Sequence, residues 1–325
     1  MTGFSVRACR DGDAAAVTEL INAILAAGGG HGGHVVAEIE DVLRHEVKDL
    51  AADTRVVTDA AGGLVGVALV PVPPEGGDRV ELIGGVHPGR RGAGIGRELL
   101  AWQLERAAAR HAEVAPGDVW QASVVAGVAD APAIRLYERL GFTVVRYFLE
   151  MAAPVTPPPV VPAVDGLRIT PYHTGLERAV YAVHSAAFRE LWGHQVRDLA
   201  AWTALTVRSE AFRPELSRVA FAGDDIVGYV LSYDGGPGRL SIGQVGTAAS
   251  WRRRGVASAL LAEVLGAAGR SGCTTAALDA DTGNPTGAAG IYAKAGFVIE
   301  QHIVVYHKPV PPAVDVHGGH RRGPS

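Results

Sequence analysis

The segment Arg91-Gly92-Ala93-Gly94-Ile95-Gly96-Arg97-Glu98-Leu99-Leu100 recurs 161 residues later as Arg252-Arg253-Arg254-Gly255-Val256-Ala257-Ser258-Ala259-Leu260-Leu261. Both fit R-x-x-G-x-[G/A] followed by a Leu-Leu pair, and a repeat at so long a period means that one structural unit is built twice. The surroundings repeat too. Each half opens with a predicted short strand and a helical segment whose apolar residues recur at helical spacing: Val17, Leu20, Ile21 and Ile24 in one, Val180, Val183 and Ala187 in the other. A hairpin follows, turning at Gly62-Gly63 or Gly223-Asp224. A strand ending near Val86 or Thr247 then leads into the Arg/Gly segment and an amphipathic helix. A further strand, a short helix, a Gly-Phe pair and a final strand close each half.

Alternating strands and helices imply an α/β (α+β) chain of two tandem domains, each a mixed, mostly antiparallel sheet flanked by helices. A length of 325 residues suits two cores. Prolines concentrated between Ala152 and Gly166 predict an extended linker. The expected division is residues 1–151, a linker over 152–166, residues 167–309, and a disordered tail over 310–325 that is almost free of large apolar residues.

Composition excludes several classes. With a formal net charge of −4 and arginines spread along the chain, the electrostatic footprint of a nucleic-acid binder is missing. Neither an apolar leader nor a run of about 18 uncharged apolar residues is found, so no membrane association is expected, and the cytoplasm is the expected location. Cys9 and Cys273 lie far apart and offer no disulfide framework. His31 and His34 have metal-like spacing on a glycine-rich loop but lack Cys or carboxylate partners, so no metal is expected.

The repeated segment carries the chemistry. Small residues let a ligand approach the backbone, and a helix N-terminus presents unpaired N–H groups and a positive dipole to an anion. Such a turn suits a pyrophosphate. A dinucleotide fingerprint would need G-x-G-x-x-G with a later acidic residue, and a P-loop a Gly-Lys-Ser/Thr ending; neither half has them.

In these residues the sequence resembles the GNAT superfamily of acyl-CoA-dependent N-acyltransferases, in a tandem form similar to the mycothiol-synthase-like actinobacterial acetyltransferases. Three features carry the match in each half: the strand ending Val86-His87-Pro88 or Thr247-Ala248-Ala249, the Arg/Gly turn, and Leu136-Tyr137 to Gly141-Phe142 or Ile291-Tyr292 to Gly296-Phe297. The resemblance implies acetyl-CoA as co-substrate, its pyrophosphate on the turn and its pantetheine arm along the strand before it. Carried over, that nominates Val86, Arg91, Gly92, Gly94 and Gly96, with Val245, Thr247, Arg252, Gly255 and Ala257. Arg253 and Arg254 would pair with a 3′-phosphate or stand as solvated surface charge.

It also implies Tyr137 and Tyr292 as acids for the departing thiolate, although periodicity alone places both on apolar helical faces as core residues. No carboxylate appears on the strand at Ser241-Ile242-Gly243-Gln244, and alternation turns Glu81 away from Val86's face. A water-relayed base, or Asp279 and Asp281, would substitute. Trp192, His194, Trp202 and Phe212 fall where the family builds its acceptor pocket, or serve as ordinary helix packing. The expected activity is transfer of an acetyl group to the primary amine of a small molecule, with chemistry in the C-terminal copy. Acetylation of a protein or peptide, and a non-catalytic acyl-CoA-binding module, are the alternatives.

Overall fold

The computed structural model describes residues 3–74, 77–115, 117–160, 163–189 and 191–310. The first copy runs β1 (Phe4–Arg7), α1 (Ala14–Ala27), α2 (Val36–Asp41), α3 (Leu50–Asp53), β2 (Thr54–Asp59), β3 (Leu64–Leu69), β4 (Arg79–Glu81), β5 (Ile83–Val86), α4 (Ile95–Val114), β6 (Trp120–Gly127), α5 (Ala131–Arg139) and β7 (Thr143–Pro154). The second runs β8 (Leu167–Pro171), α6 (Glu177–Phe188), α7 (Leu199–Leu205), β9 (Arg218–Ala222), β10 (Asp225–Asp234), β11 (Arg239–Thr247), α8 (Val256–Arg270), β12 (Thr275–Asp281), α9 (Ala288–Lys294) and β13 (Val298–Val310). The short helices α2, α3 and α7 carry too few turns to show a period and were not expected from the sequence.

The strands form a four-stranded sheet, β1-β2-β3-β5, and a nine-stranded sheet, β4-β6-β13-β7-β12-β11-β10-β9-β8. The final strands exchange places. β7 pairs antiparallel with β12, Leu278 opposite Met151, and β13 pairs antiparallel with β6, Val305 opposite Val125. The two also pair with each other. Each final strand therefore does not simply close its own half. Alternating apolar residues show that a strand exists but not which neighbour it takes, because a ladder is made of backbone groups common to every residue. β7 also runs three residues into the stretch expected as linker, and Val155 beyond it is fully buried. Residues 161–162 of that stretch and 311–325 of the expected tail lie outside the described residues.

Helices cover both faces of the sheet. α8 begins at Gly255, whose φ of +88 suits glycine, and its apolar stripe of Val256, Leu260, Leu261, Val264, Leu265 and Ala268 is buried against β9–β12. α6 covers the opposite face with Val180 and Val183 on Tyr229 and Leu231. In the first copy α1 packs Val17, Leu20 and Ile21 on Val56, Val67 and Leu69. Burying each such side chain stabilises by roughly 1.5–3 kcal/mol. Each copy thus clamps one sheet between two helical layers, and the strand running into each Arg/Gly turn lies between them.

Candidate active site

β4 pairs with β6 in parallel only over Arg79–Glu81, and β11 pairs with β12 only over Arg239–Ser241. Beyond those residues β5 stays with β3, and the rest of β11 stays with β10. A V-shaped opening results in each copy, its wide end toward the Arg/Gly turn. Val86 ends the first strand, buried against Ile95 and Leu99. Val245 and Thr247 pair with Val230 and Gly228 at the matching end of β11.

The turns themselves keep backbone open. Gly92 and Gly94 have φ of +87 and +84, and a Cβ at Gly92 would meet nothing within 4 Å. In the second copy Gly255 takes the place of Gly94, while Arg253, where the first copy has Gly92, sits at φ +61, a left-handed conformation that costs a side-chain-bearing residue free energy. A Cβ at Gly255 would stand 3.5 Å from Val164 of the linker. Gly96 faces Leu136 and Val86 at ordinary contact distance, so alanine is tolerated there, and Ala257 is what the second copy has.

The two arginines differ. Arg91 makes two 3.0 Å hydrogen bonds to Asp130, the N-cap of α5. Arg252 has only long contacts, 3.5 Å to the Thr247 carbonyl and 3.4 Å to that of Ala187. Arg254 lies over the Trp251 ring at 4.9 Å.

The tyrosines are packed as the apolar periodicity requires. Tyr137 donates to the Val125 carbonyl at 3.2 Å and contacts Phe142 and Tyr306, and burial raises its pKa. Tyr292 is 9% exposed within the α8 core and lies against Phe297. Burial pushes its hydroxyl up to about 12. No described residue hydrogen-bonds that hydroxyl.

Asp281 is held by Arg146 through two hydrogen bonds of 2.7 and 2.8 Å and accepts from Gly283 N–H, so its position is that of a strand-joining anchor. Asp279 stands opposite Glu150, where surrounding protein and that carboxylate push it up to about 6. Glu81 pairs with Arg79 at 2.9 Å. His34 pairs with Glu38 at 3.0 Å, and among the described residues no group of three or more His, Cys, Asp or Glu is placed to hold a metal.

Sequence reasoning missed a polar cluster on the α6 face. Gln244 would share the face of Leu240 and Ile242 if β11 simply alternated. Instead β11 carries a bulge: Ser232 pairs with Ile242 but Leu231 with Gln244, leaving Gly243 unpaired. The extra residue turns Gln244 toward α6. There the Tyr229 hydroxyl donates to Gln244 Oε1 at 3.2 Å and lies 2.9 Å from His184 Nδ1. Glycines on either side make room, since a Cβ at Gly246 would collide with the Tyr229 ring and one at Gly243 with the Tyr233 ring. Burial, with His194 and Arg197 adding, lowers the His184 pKa to about 4.

The cluster borders a cavity of about 640 Å³ between the copies, lined by Glu46, Arg79 and Glu81 from the first and by His184, His194 and Gln244 from the second. Trp202 lines it as well. Trp192 instead bridges the copies, stacked on His307 with Arg79 and Arg146 over its ring, and Phe212 is core. The first copy has no such cluster. Val67 pairs with Gly85 as Tyr229 does with Gly246, and the matching set is Ile21, Val67 and Ile83, packed in one apolar cluster.

Two family models match the chain, the Acetyltransferase (GNAT) family over residues 178–297 and the Acetyltransferase (GNAT) domain over 51–144. The chain belongs to the GNAT acetyltransferase family. Its two copies are the two GNAT units, and the three repeated features, strand, turn and Tyr-Gly-Phe segment, fall within or beside the matched residues. A mycothiol acetyltransferase of Tsukamurella paurometabola is 37% identical over 134 residues, 40% of each chain. One of Thermomonospora curvata is 32% identical over 157 residues, 47% of each. The chain thus aligns with under half the length of these curated relatives. A GCN5-related N-acetyltransferase from Sphaerobacter thermophilus shares the fold over 97% of this chain and 98% of its own, with a TM-score of 0.78 and 28% identity. A tandem GNAT protein from the clavulanic acid biosynthesis pathway shares it over 96% and 100%, with a TM-score of 0.69 at 17% identity. No helix among the described residues is long and apolar enough to cross a membrane.

Proposed function

We propose that the chain is an acetyl-CoA-dependent N-acetyltransferase acting on the primary amine of a small molecule, with the chemistry in the C-terminal of two units, 1–151 and 167–309, that exchange their final strands. One observation carries this reading. Of the hydrogen-bonded polar set His184, Tyr229 and Gln244, His184 and Gln244 line a cavity beside the open end of β11, whereas the first copy puts Ile21, Val67 and Ile83 in the matching positions.

The residues present fit acetyl-CoA. The turn before α8, with Gly255 and Ala257, offers backbone N–H groups to a pyrophosphate, and Arg252 is free of any carboxylate that would hold it back. Val245 and Thr247 would run beside the pantetheine arm, and Arg253 and Arg254 would meet the 3′-phosphate. The co-substrate supplies an activated acetyl thioester. Tyr292, neutral at physiological pH, then holds a proton for the departing sulfur. In the first copy Val86, Arg91, Gly92, Gly94 and Gly96 form the matching cradle, and Tyr137 would be its acid.

A cavity of about 640 Å³ lies within the range of small-molecule sites and is walled by both copies. Its charges are mixed, Glu46 and Glu81 beside Arg79 and Arg197, which suits a compact polar acceptor better than a basic peptide. The mycothiol acetyltransferase relatives support the same acceptor class. The test is a panel of primary amines mixed with acetyl-CoA while free thiol release is followed. Thiol release with small amines is expected, and release only with peptides or with none would overturn the reading.

A further inference from the structure

We propose that His184 is the general base of the C-terminal site, taking the proton of the acceptor amine on Nε2 while Tyr229 and Gln244 hold its ring in the one tautomer that leaves Nε2 bare. The inference rests on the function proposed above and names the group that the strand itself does not supply. Gln244 occupies the strand position facing the cavity, and a carboxamide cannot take up a proton at neutral pH.

The tautomer follows from the hydrogen bonds. The Tyr229 hydroxyl has one hydrogen, and it is donated to Gln244 Oε1 at 3.2 Å. His184 Nδ1, 2.9 Å from the same oxygen, must then be the donor of that contact, which leaves Nε2 with a lone pair. His184 lines the cavity, and beyond Tyr229 and Gln244 no described side chain hydrogen-bonds its ring, so Nε2 is the ring nitrogen left to face that cavity. The ring cannot easily turn. It stacks on Phe188 at 4.6 Å and lies against Trp202 at 5.6 Å.

The carboxylates, the tyrosine and the second histidine of the cavity are engaged or unfixed. Glu46 pairs with Arg197 at 3.5 Å, Glu81 pairs with Arg79, and the Tyr181 hydroxyl donates to the Arg197 carbonyl. His194 makes ring contacts with His184 and Phe188 but no hydrogen bond that would orient it. His194 and Arg197 from the loop, Trp202 from α7, Tyr229 from β10 and Gln244 from β11 are the groups that face His184. Burial, with His194 and Arg197 beside it, keeps its imidazole neutral throughout the physiological range.

The step balances without any further reactant. The neutral amine nitrogen bonds to the acetyl carbonyl carbon and becomes acidic as the bond forms. Its proton passes to His184 Nε2. The carbon–sulfur bond breaks with its electron pair on sulfur, sulfur takes the proton of Tyr292, and the proton gathered by His184 returns through solvent to Tyr292, so amine and thioester become amide and thiol.

Nitrogen-15 NMR of the histidine-labelled full chain at pH 7 reads the tautomer without any ligand. His184 is expected with hydrogen on Nδ1 and an unprotonated Nε2, and Tyr229→Phe is expected to abolish that preference. Hydrogen found on Nε2, or an imidazolium, overturns the proposal. The kinetic arm uses glucosamine and 2-aminoethanol as amine probes, together with any amine found in the panel. His184→Asn, whose amide N–H still reaches toward the Tyr229 hydroxyl, is expected to lower kcat by about 10²–10⁴-fold with acetyl-CoA binding unchanged, and His173→Gln, at an exposed histidine outside the cavity, is expected to stay within a few-fold of wild type. Normal turnover in His184→Asn would overturn the assignment. Wild-type protein that acetylates no amine fails the reading of function, whereas a protonated Nε2 in a protein that turns over fails His184 alone.

Discussion

Arg91 and Asp130 are joined by two hydrogen bonds of 3.0 Å that tie the first copy's Arg/Gly turn to the N-terminus of α5. Among the described residues the second copy has no equivalent pair. Before α9 it reads Asn284-Pro285-Thr286-Gly287, and Arg252 is left with two weak carbonyl contacts. Asp130 is 5% exposed and also caps α5 by accepting from Ala133 N–H at 3.2 Å. Losing the carboxylate removes both a partly buried ion pair and a cap, so Asp130→Ala should cost about 2–4 kcal/mol by urea denaturation. Asp130→Asn retains a capping oxygen and should cost less. Turnover should survive in both, because the clamp belongs to the copy without the polar cluster.

The two turns can be separated by filling them. At φ +84 and +88 neither Gly94 nor Gly255 accepts a side chain without strain, and a bulky one also stands in front of the exposed backbone. Gly94→Trp is expected to weaken acetyl-CoA binding at the first copy while leaving turnover near normal. Gly255→Trp should abolish turnover. Calorimetry on both variants, with circular dichroism to confirm folding, distinguishes them. Turnover lost only in Gly94→Trp would move the chemistry to the first copy.

The duplication, the strand-to-helix turns and the tyrosines' apolar setting were legible because each rests on residue type at fixed spacing. Leu260 and Val264 are buried where helical periodicity puts them, and Gly255 has the positive φ that its place at a turn predicts. The exchange of β7 and β13 was hidden, since Val304 and Met151 are equally apolar whichever strand lies beside them. The polar cluster was hidden for another reason. His184 lies on α6, one residue from Val183 of the apolar stripe, Tyr229 reads as a core aromatic, and Gln244 reaches them only through a bulge that breaks simple alternation. The signal that would have found it is Gly243 and Gly246 bracketing Gln244, two glycines in a strand where each makes room for a tyrosine ring.

The tyrosines test the acid assignment. Tyr292 has no hydrogen-bond partner for its hydroxyl among the described residues, so Tyr292→Phe keeps the packing on Phe297 and removes only the proton donor. A fall in kcat of about 10²–10⁴-fold is expected, with the melting temperature and acetyl-CoA binding nearly unchanged. Tyr137 donates to the Val125 carbonyl, so Tyr137→Phe should cost about 1 kcal/mol of stability and leave kcat alone. A Tyr292→Phe variant with normal kcat would return that residue to the core.

Acid should loosen the second copy at a pH above the range in which ordinary carboxylates titrate. His184 has its pKa lowered to about 4 by burial, against about 6.5 in an unfolded chain. Above pH 6.5 both states are neutral, and the full stability is present. As pH falls from about 6.5 toward 4 the unfolded chain gains a proton that the buried ring refuses, so stability is lost across that window, by up to about 3 kcal/mol for a shift of this size. His194, lowered by burial and by Arg197, acts in the same direction. Asp279, raised to about 6, acts in the opposite direction, because its protonated form favours the folded state as pH falls. Urea denaturation of wild type and His184→Gln at about pH 7.5, 6 and 5 measures the net slope, and His184→Gln should flatten it while the Asp279→Asn variant should steepen it. Parallel curves for wild type and His184→Gln would mean that the imidazole is not shielded as its packing against Phe188 and Trp202 implies.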